Sequence, residues 1–229
     1  MSELRVPELL SPLRGRLIVS CQAYPGEPMR HPETMAQVAA AVEIGGAAAV
    51  RLQGLQDCRA ARAAVSVPVI GLWKDGDAGV YITPTLEHAI AVAETGAEIV
   101  AIDATRRPRP DGRTFAEVVT GLKERFPDVL VMADCGSVAD AEAAQAAGAD
   151  LLGTTLAGYS GEREKTAGPD FEFVDQVVAM AEVPVVVEGR VHTPAQAREA
   201  LDRGAFAVCV GTAITHPSTI TGWFVDALR

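Results

Sequence analysis

The sequence predicts an α/β fold, a (β/α)8 TIM barrel formed as a single domain over residues 1–229. Three observations carry that prediction. Four Ala-rich, helix-like stretches each end in Gly-Ala and run straight into an apolar strand, at Gly46-Ala47, Gly96-Ala97, Gly148-Ala149 and Gly204-Ala205. These starts recur roughly every 50 residues, too long for one βα unit and right for two, so the chain repeats a pair of βα units. Three further apolar runs open at proline, and one more near the start brings the count to eight in a chain long enough to close such a barrel.

In chain order, Leu17 to Gln22 is the first strand and Pro32-Glu33 opens the first helix, since proline at a first helical turn loses no hydrogen bond. The second strand runs from Gly46-Ala47 to Leu52 and the third from Pro68 to Lys74. Thr83-Pro84 is expected to cap and open the next helix. The fourth strand ends at Asp103, the fifth runs from Pro127 to Asp134, and Ser137 is placed to cap the helix that follows. The sixth ends at Thr155 and the seventh spans Pro184 to Glu188, with Thr193-Pro194 starting its helix. The eighth ends at Thr212, and His216-Pro217 begins the last helix. Runs such as VIGLW, IVAID and VVVEG show no alternation, as expected of strands covered on both faces. Two loops exceed the usual βα length, 75–82 and 156–169, and each reads either as a lid or as surface decoration.

Hydrophobic residues make up 48% of the chain and aromatics 5%, so the interior is built mainly from Ala, Val, Leu and Ile. A net charge of -10 argues against nucleic acid as a partner, because that binding draws on a cationic surface. The stretch from Met1 to Arg16 has no apolar h-region and no apolar run is long enough for a membrane span, so no membrane association and a cytoplasmic location are expected. Cys21, Cys58, Cys135 and Cys209 are widely spaced and expected to be reduced thiols. Cys135 has nothing beside it that would activate a nucleophile. His31, His88, His192 and His216 lack metal-ligand spacing, so no metal is expected.

Catalytic groups of such barrels sit at the C-terminal ends of the strands. Gln22, Arg51, Lys74, Asp103, Asp134, Thr154 with Thr155, Glu188, and Gly211 with Thr212 form that ring here. Charges closing apolar runs are either an internal salt-bridge network or a working site. Lys74 and Glu188 close strands three and seven, on opposite sides of an eight-stranded ring, an arrangement that suits removal of a proton from one face of a carbon and its return to the other. Gly189 and Arg190 after strand seven, and Gly211 and Thr212 after strand eight, occupy the place where barrels bind phosphate through backbone amides, although glycine also serves simple turns. In Arg106-Arg107-Pro108-Arg109, Arg106 reads as a solvated loop charge, and the other two as groups that orient a substrate or hold carboxylates.

With these residues in view, the chain resembles the N-acetylmannosamine-6-phosphate 2-epimerase family along nearly its whole length. The segments are Leu17 to Gln22, Gly71 to Lys74, Ile82 to Pro84, Asp103 to Thr105 with Arg107 to Pro110, Asp134-Cys135, Gly153 to Tyr159, Glu188 to Arg190 with Thr193-Pro194, and Val210 to Thr215. The resemblance implies cofactor-free epimerisation at C2 of an open-chain amino sugar phosphate, N-acetylmannosamine 6-phosphate to N-acetylglucosamine 6-phosphate, in amino sugar and sialic acid catabolism. It implies Lys74 as the base, Glu188 as the acid, and Gln22, Arg51 and Asp134 as groups that bind the sugar and the developing enolate. It further implies a homodimer. Ile220 to Leu228, with Trp223 and Phe224, is the candidate contact surface, or else a terminal helix closing the barrel. The chain departs from the family's usual pattern at Gln53, Asp75, Ala104 and Arg106. Two other readings of the same residues are a Schiff-base aldolase or lyase that uses Lys74 as nucleophile, and a sugar-phosphate binding barrel without catalysis.

Overall fold

The computed structural model describes residues 4–77 and 79–229; Met1 to Glu3 and Ala78, parts of the predicted domain and of the first long loop, lie outside the described residues. Eight parallel strands close in sequence order: β1 (Leu17–Cys21), β2 (Ala49–Gln53), β3 (Val69–Leu72), β4 (Ile99–Asp103), β5 (Leu130–Asp134), β6 (Leu151–Gly153), β7 (Val185–Glu188) and β8 (Ala207–Val210). Between and after them run α1 (Pro32–Ile44), α2 (Leu55–Ala64), α3 (Leu86–Ala93), α4 (Phe115–Arg125), α5 (Val138–Ala146), α6 (Phe171–Met180), α7 (Pro194–Asp202), α8 (Thr212–Thr215) and α9 (Pro217–Ala227). The predicted (β/α)8 barrel is therefore the fold observed.

A period of two along each strand sends one set of side chains inward. Ile18, Ala49, Ile70, Ile99, Met132, Leu151, Val186 and Ala207 form the interior cluster. The opposite set, including Val19, Val50, Val100 and Val131, packs under the helices with residues such as Met35, Ala39 and Leu122. A 3₁₀ helix over Glu8–Leu13, not anticipated from the sequence, puts Leu10 and Leu13 into the interior cluster.

Most helix starts are where proline and the capping residues place them. Pro32, Pro194 and Pro217 occupy first turns, Ser137 accepts from Asp140 N–H, and Thr193 forms a reciprocal capping box with Gln196. Gly46, Gly96, Gly148 and Gly204 all have positive φ as the chain leaves a helix. One expectation is corrected. Thr85, not Thr83, caps α3, and Leu86, not Pro84, opens it, because Thr83 is fully buried with its hydroxyl engaged in the barrel wall. All four cysteines are free and buried. Among the described residues, no helix is long and apolar enough to cross a membrane.

Candidate active site

The inward parity that fills the barrel with Ile, Ala and Leu continues upward into polar residues. Ile18 leads to Ser20 and Gln22, Ala49 to Arg51 and Gln53, Leu72 to Lys74, Met132 to Asp134, Gly153 to Thr155, Val186 to Glu188, and Cys209 to Gly211. Above the apolar layers lies a cavity of about 990 Å3, lined by these side chains except the buried Asp134 and by the loops around them. Of the ring expected from strand ends, Gln22, Arg51, Lys74, Thr155, Glu188, Gly211 and Thr212 meet in this cavity, and Gln22, Lys74, Thr155, Gly211 and Thr212 lie just past their strands.

Arg51 is its centre. Its guanidinium is 1% exposed and grips Asp134 in a bidentate pair, at 3.0 Å from Nη1 to Oδ1 and 2.6 Å from Nη2 to Oδ2, while Nη1 also donates to Glu188 Oε2 at 2.6 Å. Burial opposes the charge on Arg51, and the carboxylates of Asp134 and Glu188 more than offset it, so its pKa is raised and it stays a cation. Thr155 donates to Asp134 Oδ1 at 2.7 Å and lies 3.3 Å from Glu188 Oε2. Gly153 makes this possible, because a Cβ there would stand 2.6 Å from the end of Met132 and 3.2 Å from Asp134 Oδ1.

The Lys74 amine donates to Gln22 Oε1 at 2.8 Å, and Gln22 Nε2 donates to Ser20 at 2.8 Å. Burial and, after it, the charge of Arg51 lower the Lys74 pKa to about 8, against the pull of Glu188 and Asp134. Burial raises the Glu188 carboxyl, with Arg51 opposing and Asp134 reinforcing that rise. Both shifts have one consequence. A proton can reside on either Lys74 or Glu188, and the cluster of Arg51, Asp134, Lys74 and Glu188 is neutral in both states.

Gly189 has φ 109°, a conformation that disfavours any side chain, and Gly211 precedes the first turn of α8. Gly189, Gly211 and Thr212 follow the neighbouring strands β7 and β8, and all line the cavity. Arg190 also borders it, with its guanidinium donating to Gly168 O at 3.0 Å, Ala157 O at 2.9 Å and Thr166 Oγ1 at 3.0 Å, which ties the loop after β6 to the turn after β7.

Asp103 belongs to the sequence-predicted ring but does not line the cavity; Thr105 and Arg107 hold it, Arg107 at 2.8 Å. Arg109 is buried, donating to Pro84 O and Asp103 O, so these two arginines knit the wall beside β4. Arg106 is not merely solvated, as expected. It pairs with Asp140 at 3.2 Å and Glu162 at 2.7 Å, because Asp140 is fully buried and needs a cation. Asp75 meets His88 Nε2 at 3.3 Å. Burial drives the Cys135 thiol well above the ordinary range, in keeping with an inert residue.

Several lining residues carry no signal in the linear pattern. The chain's three tyrosines, Tyr24, Tyr81 and Tyr159, all face the cavity, as do Arg30 and Lys165 at its mouth. Trp223 of α9 reaches the same rim, 5.0 Å between ring centres from His192. Among the described residues, no group of three or more His, Cys, Asp or Glu is placed to hold a metal ion.

The model of a family described as "Putative N-acetylmannosamine-6-phosphate epimerase" matches residues 35–229. A Cutibacterium acnes protein named "Putative N-acetylmannosamine-6-phosphate 2-epimerase" is 62% identical over 223 residues, covering 96% of this chain and 97% of its own. One of the same name from Caldanaerobacter subterraneus is 46% identical over 97% of this chain and 94% of its own. The solved structure of the N-acetylmannosamine-6-phosphate 2-epimerase from Clostridium perfringens superposes with a TM-score of 0.92 at 36% identity, over 99% of each chain. Thiamine phosphate pyrophosphorylase from Pyrococcus furiosus, at 18% identity and a TM-score of 0.60 over 90% of each chain, shares the fold alone.

Proposed function

We propose, because this chain belongs to the N-acetylmannosamine-6-phosphate epimerase family, that it interconverts N-acetylmannosamine 6-phosphate and N-acetylglucosamine 6-phosphate by proton transfer at C2. The observation that carries the reading is the pairing of Lys74 and Glu188 in one cavity, each with its pKa displaced toward the other's. In the open-chain sugar, C2 lies beside the aldehyde. Lys74 in its neutral form takes the C2 proton from one face, negative charge develops on O1, and Glu188 in its protonated form returns a proton to the other face. Arg51, fixed before substrate arrives, supplies positive charge to the enolate without reorganising. Gln22 holds the Lys74 amine toward the cavity, and Asp134 holds Arg51.

Amides at Gly189, Gly211 and Thr212 receive the phosphate, with Arg190 fixing the loop that borders them. Binding there positions C2 from a distance, so the unphosphorylated sugar is a poor substrate. The same reading makes the chain a homodimer through α9, which has no buried residue: Phe224 is 70% exposed, and Val225 and the following Leu228 are also open. The direct test is incubation with N-acetylmannosamine 6-phosphate in D2O, followed at C2 by NMR. Growth of N-acetylglucosamine 6-phosphate carrying deuterium at C2 is expected; an unchanged sugar retaining its C2 hydrogen would exclude the function.

A further inference from the structure

β3 and β4 are registered only at Ile70 with Ile99 and Gly71 with Val100, and the segment Tyr81–Thr83 returns into the wall above that point. On the β3 side, Asp75 N–H donates to Tyr81 O at 3.0 Å and Thr83 N–H to Trp73 O at 2.7 Å, with Lys74 opposite Ile82 in an isolated antiparallel bridge. On the β4 side, Asp103 N–H donates to Ile82 O at 3.0 Å and the Thr83 hydroxyl to Ala101 O at 2.7 Å. The returning segment therefore completes the barrel wall at the level of the reacting groups. It grips the backbone on both flanks of Lys74.

Thr83 is the unusual member. Its φ is 47°, a left-handed conformation that is costly for a β-branched side chain and that glycine would adopt without strain. It is also fully buried. Its hydroxyl accepts from Trp73 N–H at 3.2 Å while donating to Ala101 O, so one group occupies the acceptor position that a carbonyl fills in regular antiparallel pairing and also bridges to the next strand. A strained residue persists where the surroundings over-determine it, and here the determining contacts converge on the residue before Lys74.

We propose that Thr83 is a positioning residue for Lys74, its left-handed backbone and bridging hydroxyl setting the register of Trp73 and Lys74 and thereby aiming the amine into the cavity. The inference rests on the assignment of Lys74 as the base, but its physical content, the placement of one amine, is measurable without turnover. The chain has three lysines, Lys74, Lys123 and Lys165, so reductive ¹³C-methylation labels only these and the α-amino group, and Lys74→Arg identifies the amine at issue.

Two variants separate hydroxyl from backbone. Thr83→Val keeps the shape and removes the bridge; Thr83→Gly relieves the φ and also removes it. Thr83→Ser keeps the hydroxyl. In both bridge-free variants kcat is expected to fall about 100-fold with KM within roughly threefold. The Lys74 amine is expected to titrate at higher pH than in the parent protein. Thr83→Ser should recover both properties, and if Thr83→Val does not fold, Thr83→Gly and Thr83→Ser still decide the matter. A folded bridge-free variant with parental kcat and an unmoved Lys74 titration would overturn the inference, as would a folded Thr83→Ser as impaired as Thr83→Gly. If the parent protein shows no epimerisation, the proposed function fails while the amine titrations still test Thr83.

Discussion

Lys74 and Glu188 both titrate in a buried, neutral cluster, and the pH dependence follows from how many protons they share. The forward reaction needs neutral Lys74 with protonated Glu188, and the reverse needs the ammonium with the carboxylate. Either way the reactive pair holds one proton. Since Lys74 is lowered to about 8 and Glu188 is raised from its ordinary value, kcat/KM should be bell-shaped, falling above about 8 and again at acid pH as the pair takes up a second proton, on Glu188. The profile should be the same in both directions. A rate that rises through pH 8 to a lasting plateau would instead point to Lys74 acting alone. Arg51 makes a different prediction. Replacement by Met leaves Asp134 buried without its cation, a loss of roughly 3–5 kcal/mol, and Tm should fall on the order of 10 °C for a chain of this size. Calorimetry checks it, and an unchanged Tm would show the pair to be dispensable. Lys74→Ala, by contrast, should abolish turnover and keep the fold, because it removes a cation that burial already disfavours.

At the scale of elements, α9 differs from the other helices longer than one turn in having no buried residue, while Trp223 reaches the cavity rim. If its apolar face meets a second copy, Phe224→Glu should yield folded monomers by sedimentation with the parental far-UV circular dichroism, since that side chain is 70% exposed in the isolated chain. Sedimentation of the parent protein as a monomer would refute the dimer. The strands themselves were legible in the sequence because Gly-Ala and proline mark where helices stop and buried runs begin. The position of Lys74 beyond β3 was not legible. It depends on Tyr81–Thr83 folding back between two strands, a tertiary pairing that leaves no periodic trace and that made Thr83 look like a helix cap. The 3₁₀ helix at Glu8–Leu13 escaped for a similar reason, being short and defined by what it plugs.

For the molecule as a whole, most of the site was readable from the polar residues that close apolar runs, since Arg51, Asp134, Thr155 and Glu188 stand toward the C-terminal ends of the strands. The rim was not, because Tyr24, Tyr159, Lys165 and Trp223 come from loops and a helix distant in sequence. The barrel also shields its thiols: burial pushes Cys21 and Cys58 up to about 12, and Cys135 and Cys209 higher than their ordinary range. A thiol reagent should therefore find none of the four in the native protein and all of them after denaturation. Opposed proton transfer across this barrel is decided by Glu188→Gln, mixed separately with each epimer in D2O and followed at C2 by NMR. Gln cannot deliver a proton, so net epimerisation should stop, while Lys74, exchanging with solvent, introduces deuterium into one epimer without inversion. Near-normal epimerisation by Glu188→Gln, or exchange of the same epimer's hydrogen by both Glu188→Gln and Lys74→Ala, would contradict it.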